Sequence, residues 1–129
     1  MDGTFAVTVS SGSLRDVHGA TWSGPHAWTP EGVAVSGPVT GAHLLHAAVG
    51  ACVLNDAYRE ASSLGIVVAG VRVTVDGGFD PTSWTSTGIR YRLEADAEPS
   101  RIAELLDRVE DVAEIPRALR AGAPVERLR

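Results

Sequence analysis

The apolar positions of residues 40–65 predict one long helix that dominates the chain. Thr40 precedes a run rich in Ala and Leu without an internal proline, and Gly65 follows it, so we expect these two residues to cap the helix. From Leu44 to Ala57 the apolar residues occupy nearly the whole circumference, which indicates burial on most sides. Because one sheet covers only one face, we expect a second helix or a second subunit to cover the rest.

Alternation of apolar and polar residues predicts strands on both sides of this helix. The predicted strands span residues 4–10, 20–23, 32–35, 66–76 and 88–96. The last two have the clearest alternation and are separated by a polar segment, residues 77–88. We therefore expect them to form an antiparallel pair with one buried and one exposed face.

A second, amphipathic helix is predicted near the C-terminus. Pro99 opens it and Ser100 is the expected N-cap, while apolar residues recur at helical spacing through residues 102–113. The opposite face is charged and is interpreted as exposed to solvent. Pro116 is expected to end the helix, and residues 124–128 are predicted to form a last short strand.

Length and composition restrict the class of protein. The 129 residues predict a single domain, residues 1–129, and a net charge of −5 argues against nucleic acid or an anionic membrane as a partner. No apolar run is long enough to span a membrane, and no signal-peptide pattern occurs. The single cysteine excludes an internal disulfide, so we expect a cytoplasmic protein.

Cys52 is the principal candidate for chemistry. Helical spacing places it on one face with Asp56 and Arg59. Asp56 would raise the pKa of the thiol, whereas Arg59, nearly two turns on, could neutralise Asp56 instead. A buried cysteine also serves as a small apolar residue, so the residues alone leave a reactive thiol and a structural one both open.

Two histidines and an asparagine on the same helix are further candidates. The spacing of His43 and His46 is compatible with metal ligation, yet no cluster of Cys and His supplies the remaining ligands, so we predict no metal site. We expect one of these two histidines to face a ligand pocket or a polar end of the helix. Asn55 needs a hydrogen-bonding partner in a buried helix and is a candidate for ligand binding.

Several motifs in a fixed order resemble the OsmC/Ohr family of thiol-dependent hydroperoxide reductases and their relatives. The matching segments are residues 44–52, 64–66, 71–80, 115–119 and 123–125. Each is weak alone, and their combination is specific. The resemblance implies an α+β fold with antiparallel sheets around a long central helix. It also implies an intertwined homodimer with its sites at the subunit interface.

The resemblance implies roles for particular residues and also reveals departures. Cys52 matches the cysteine that attacks the peroxide, and Arg15 is the best candidate for the arginine that orients it. Ile115 stands in place of the family's second cysteine, and Ala42 in place of its glutamate. A two-cysteine cycle is therefore not possible within one chain, and we expect Ile115 to pack beside Cys52 in an unusually apolar pocket.

Three functions follow from these observations. The first is a one-cysteine peroxidase that reduces organic hydroperoxides with an external thiol reductant and no cofactor. The second is a non-redox homodimer that binds a small apolar molecule at its interface. The third is an enzyme that has reused the pocket for another reaction, with histidines as acid or base. The predicted catalytic residues are Cys52 and Arg15, and the predicted substrate-binding residues are His43, His46, Asn55 and Ile115.

Overall fold

The computed structural model describes residues 4–129, which form an α+β fold of one five-stranded sheet and three helices. The strands are β1 (Val7–Gly12), β2 (Trp22–Gly24), β3 (Val33–Ser36), β4 (Gly70–Phe79) and β5 (Ser86–Asp96). The helices are α1 (Gly41–Leu64), α2 (Pro99–Val112) and α3 (Glu114–Ala121). The predicted α+β class, the long helix and the predicted strands before residue 97 are confirmed, with shifts of a few residues.

The sheet is antiparallel throughout, in the order β2-β3-β1-β4-β5. At its centre Val9 of β1 lies opposite Val35 of β3 and Val73 of β4. Val71, Val73 and Val75 are fully buried, whereas the residues between them are partly exposed, as the alternation predicted. The buried face of the sheet therefore packs against α1.

The hairpin between β4 and β5 is tighter than predicted. Residues 77–79 continue β4, so the connecting loop is shorter than the expected residues 77–88. Gly77 pairs with Ile89 in the ladder, and a Cβ atom there would lie 2.4 Å from the carbonyl oxygen of Gly88 and 3.0 Å from His46 Nε2. Glycine extends the strand here because no side chain would fit between these atoms.

Both predicted caps of α1 are present. The hydroxyl oxygen of Thr40 accepts a hydrogen bond from the backbone N–H of His43, which satisfies one free donor of the first turn. Gly65 adopts a left-handed conformation with φ of 71°, and its N–H bonds back to the last turn. A residue with a Cβ atom is strained in that conformation, so Gly65 ends the helix.

Three surfaces surround α1. The sheet covers one, and Gly50 allows the close approach because a Cβ atom there would lie 2.8 Å from Val9 Cγ2. The amphipathic α2 covers a second through its buried Leu105 and Val109. The third surface, which we name the α1 stripe, consists of the exposed residues Leu44, Ala48 and Ala51. Within one chain α1 is therefore buried less completely than predicted.

The start of α2 corrects one expectation. Its N-cap is Glu98 and its first residue is Pro99, so the prediction that Ser100 is the N-cap was wrong. Proline is favoured at the first helical position because its missing N–H would be unpaired there in any case.

The end of the chain corrects two more. The helix α2 ends at Val112, before Pro116, which instead lies in the first turn of α3, where the missing N–H breaks no helical bond. Residues 124–128 form no strand and are exposed, so that prediction was also wrong. A strand needs a neighbouring strand to pair with, and the residues after α3 have none among residues 4–129.

A candidate thiol site between α1 and α3

The half-buried thiol of Cys52 lies at the N-terminus of α3. The backbone N–H groups of Ile115 and Glu114 are directed at its sulfur. No side chain caps this helix, since its N-cap is Ala113. The first N–H groups of a helix lack partners within the helix and carry partial positive charge, so this position favours negative charge on the sulfur.

Two carboxylates stand beside the thiol. The Sγ atom donates to Asp56 Oδ2 at 3.8 Å, and Glu114 approaches from α3. The sulfur and one oxygen from each of the two carboxylates lie within 4.8 Å of one another. We call these three residues the thiol–carboxylate cluster. Asp56 is fully buried, and its Oδ1 accepts from Arg59 Nη1 at 3.2 Å and from Asn55 Nδ2 at 3.3 Å.

The environment favours the protonated thiol. Burial raises the pKa of Cys52, the N–H of Ile115 opposes that increase, and the charges of Asp56 and Glu114 add to it. The pKa of Asp56 is also raised, first by its burial and then by the charge of Glu114 and a hydrogen bond with it, against the hydrogen bond from Asn55 and the charge of Arg59. At neutral pH the cysteine is therefore mainly a thiol whose proton faces a carboxylate.

The cluster offers a sulfur and two carboxylates, a donor set that some metals accept. Its surroundings suit a proton better than a cation, because the N–H groups at the start of α3 face the sulfur and Arg59 already neutralises Asp56. The two predicted pocket histidines have other contacts. His43 shares a hydrogen bond of 2.6 Å with Thr40 Oγ1, and His46 donates from Nδ1 to the Phe5 carbonyl oxygen at 2.8 Å.

An apolar groove of about 350 Å³ runs between α1, β5 and α3 beside the cluster. We name it the α3 groove; its lining is Leu45, Val49, Ser86, Gly88, Ile89, Tyr91, Pro116, Leu119 and Arg120. Cys52 itself does not line the groove, but Pro116 of the lining directly follows Ile115, whose N–H faces the sulfur. Burial raises the pKa of Tyr91, and a thiolate at Cys52 raises it further. The charge of the thiolate therefore reaches a residue that lines the groove.

A second groove, also about 350 Å³, lies between α1 and the strands β2 and β3. We name it the α1 groove; its lining is Trp22, Gly24, Pro25, His26, Val33, Val35, Leu44, Ala47, Ala48 and Ala51. It is continuous with the α1 stripe, which supplies three of these residues. His26 shares a hydrogen bond of 3.2 Å with Thr29 Oγ1, and burial lowers the pKa of its ring, so the imidazole is neutral at pH 7.

Of the six residues predicted for the site, three meet here. Cys52 and the backbone of Ile115 are in contact, and Asn55 reaches the cluster through its bond to Asp56. His46 is fully buried, with its ring stacked on Phe79 at 6.5 Å between centroids, so its contacts are those of a core residue. Its predicted role in binding, like that of His43, remains a prediction.

Arg15 lies in a turn after β1, where its N–H donates to the carbonyl oxygen of Gly12 at 3.1 Å. Its Nε atom is buried without a hydrogen-bond partner. Within residues 4–129 no hydrogen bond or ion pair joins Arg15 to Cys52. Its predicted orienting role therefore also remains a prediction.

Sequence reasoning missed Glu114 and the two N–H groups at the start of α3. It expected Pro116 to end the second helix, and so overlooked a third helix that begins at Glu114. The signal was present, since Glu114 followed two residues later by Pro116 is typical of a first helical turn.

Comparison with known proteins identifies the class to which this fold and site belong. The family model of OsmC-like proteins matches residues 37–127, which include α1, β4, β5, α2, α3 and the whole thiol–carboxylate cluster. The chain therefore belongs to the OsmC-like family, as its motifs indicated. No curated protein and no solved structure matches it. Within residues 4–129, no helix is both long and apolar enough to cross a membrane.

Proposed function

We propose that the protein reduces organic hydroperoxides through a one-cysteine cycle at Cys52. One observation carries this proposal: the single thiol of the chain lies at the uncapped N-terminus of α3 and beside the apolar α3 groove. Such a position combines a nucleophile, N–H groups for developing negative charge, and space for an apolar substrate.

The proposed reaction begins with attack by Cys52 Sγ on the terminal oxygen of a hydroperoxide. The S–O bond forms as the O–O bond breaks, the thiol proton leaves the sulfur, and the departing alkoxide takes up a proton to become an alcohol. Cys52 is thereby oxidised to a sulfenic acid. The N–H of Ile115 stabilises negative charge on the sulfur before the attack.

An external thiol completes the proposed cycle. Ile115 occupies the place of a second cysteine, so no other thiol of the chain can trap the sulfenic acid. A small thiol attacks the sulfenic sulfur and releases water, and a second molecule of that thiol then restores Cys52 and leaves as a disulfide. The cycle requires a supply of reduced thiol, such as the cytoplasm provides, and there we propose that it operates.

We also propose that the protein works as a homodimer with the α1 stripe at its interface. Leu44 is 41% exposed, and Ala48 and Ala51 beside it leave room for a second helix to approach. A dimer would complete the burial of α1 and would cover the α1 groove. The dimer interface would also lie next to Cys52, which directly follows Ala51.

A second candidate function is binding of a small apolar molecule without redox chemistry. The raised pKa of Cys52 favours it, because a protonated thiol is a weak nucleophile. The α3 groove retains its apolar lining whatever the state of the thiol. Under this proposal Ile115 contributes apolar surface near the groove in place of a reactive sulfur.

Hydroperoxide consumption separates the two candidates. The wild-type protein should consume cumene hydroperoxide in the presence of dithiothreitol, and Cys52→Ser should abolish that turnover. Equal turnover in the two proteins would rule out the peroxidase. If neither turns over, saturable binding of a fluorescent apolar probe that Leu119→Trp weakens would support the binding function, since Leu119 lines the α3 groove.

A further inference from the structure

Three residues of α1 form a continuous polar chain from the thiol towards the end of the helix. Cys52 Sγ lies 3.8 Å from Asp56 Oδ2, and Asp56 Oδ1 lies 3.2 Å from Arg59 Nη1. Positions 52, 56 and 59 share one helix face, so neighbouring turns bring the three side chains together. These three side chains all belong to α1, and a single helix favours a constant geometry between them.

The buried carboxylate of Asp56 has a different task at each oxygen. Its Oδ1 accepts two hydrogen bonds, from Arg59 and from Asn55 Nδ2 at 3.3 Å. Its Oδ2 faces the thiol of Cys52. Turning the carboxylate would break both bonds to Oδ1 inside the protein, where unpaired polar atoms are costly. A basic lone pair is therefore held towards the thiol proton.

Arg59 is itself held in place from a second helix. Its Nε donates to Glu60 Oε2 at 3.0 Å, and Glu60 Oε1 accepts from Arg108 Nη1 of α2 at 3.3 Å. The guanidinium thus spans Asp56 and Glu60 and cannot leave one without rearranging the other. The network joins the packing of α2 on α1 to the orientation of the carboxylate.

We propose that Asp56 accepts the thiol proton of Cys52 during attack on the hydroperoxide, and that Arg59 is the positioning residue that keeps Asp56 ionised and aligned. The inference rests on the proposed peroxidase function. In this step the proton passes from Sγ to Oδ2 while the S–O bond forms. The same proton then passes from Asp56 to the alkoxide released by cleavage of the O–O bond, so the carboxylate is regenerated.

The charged and titratable groups near this step come from several elements. They are Arg59 and Glu60 of α1, Arg108 of α2, Glu114 of α3, Tyr91 of β5, and His26, which reaches Asp56 through its hydrogen bond with Asn55. Burial makes Asp56 a stronger base than an exposed carboxylate, because its pKa is raised. The cation of Arg59 opposes that increase and favours the ionised form of the carboxylate.

Two measurements on the intact protein test the inference: the pH dependence of Cys52 alkylation by iodoacetamide, and single-turnover oxidation of Cys52 by cumene hydroperoxide. Asp56→Asn removes a nearby negative charge and should lower the alkylation midpoint by roughly one pH unit. It should nevertheless slow oxidation at neutral pH roughly ten-fold or more, because the proton acceptor is lost. A merely structural residue would not move the two measurements in opposite directions.

Variants of Arg59 test its positioning role with the same two measurements. Arg59→Gln should raise the alkylation midpoint and slow oxidation, whereas Arg59→Lys should keep the midpoint near that of the wild type. Arg101→Gln is the matched control, since Arg101 forms an ion pair with Glu104, also three residues away on a helix, at 2.9 Å outside the cluster, and both measurements should stay unchanged.

The outcomes separate the inference from the proposed function. An unshifted midpoint in Asp56→Asn, or unslowed oxidation in that variant, overturns the inference alone. A midpoint that moves the same way in Asp56→Asn and Arg59→Gln also overturns it. Wild-type Cys52 that resists the hydroperoxide at every pH overturns the proposed function, and the inference with it.

Discussion

Glu114 provides the most direct test of the electrostatics around Cys52. It is exposed, so Glu114→Gln should not disturb the core, yet its carboxylate lies within 4.8 Å of the thiol sulfur. Removing that negative charge should lower the pKa of Cys52, because repulsion from Glu114 is one cause of the increase. The thiolate fraction at neutral pH should then rise.

The size of the effect follows from Coulomb's law. At 4.8 Å, the upper limit for this pair of atoms, two unit charges repel each other by about 0.9 kcal/mol in a medium with the dielectric constant of water. Exposure of Glu114 makes the water value the appropriate one. That energy corresponds to a fall of about 0.6 pH unit in the pKa of Cys52, and to about a four-fold faster alkylation at pH 7.

The assay is the rate of iodoacetamide alkylation of Cys52 between pH 6 and pH 10, measured by mass spectrometry at low salt and again at roughly 1 M salt. Glu126→Gln is the control, because it changes the net charge equally in the exposed C-terminal segment. We expect the shift in Glu114→Gln only, and a smaller shift at high salt.

A midpoint that stays at the wild-type value in Glu114→Gln at low salt would refute this account of the site. An equal shift in Glu126→Gln would refute it differently, by showing that net charge rather than proximity controls the thiol. In the first case the raised pKa of Cys52 would have to arise from burial and Asp56 alone.

Three further changes test the packing and the assembly. Leu44→Glu should convert the proposed dimer to a monomer in sedimentation experiments, and a wild-type monomer at micromolar concentration would exclude that dimer. Gly50→Ala should lower the free energy of unfolding in urea by about 1 kcal/mol, since overpacking against Val9 outweighs the gain in helix propensity; a more stable variant would contradict the close approach. Ile115→Cys should form a disulfide with Cys52 on peroxide treatment, and two persistent free thiols would argue against the alignment of Ile115.

The sequence by itself determined the elements whose signals are local. Thr40 and Gly65 act within single turns of α1, so their residue types predicted both ends of the helix. The alternation around Val73 likewise predicted which face of β4 is buried, because successive side chains of a strand point in opposite directions. Cys52, Asp56 and Arg59 could be assigned to one helix face because side chains three and four residues apart lie on the same side of a helix.

Only the tertiary structure decided how far α1 is buried and where the C-terminal helix lies. The apolar circumference of α1 could not reveal that α2 covers one side while Leu44 remains exposed, since coverage depends on elements distant in the chain. Pro116 was equally ambiguous, because a proline both follows a helix and fits within the first turn of another. Its place in α3 brings Glu114 and the N–H of Ile115 to a cysteine more than sixty residues earlier in the chain. Packing alone sets that distance, and with it the contributions of Glu114 and Ile115 to the pKa of the thiol.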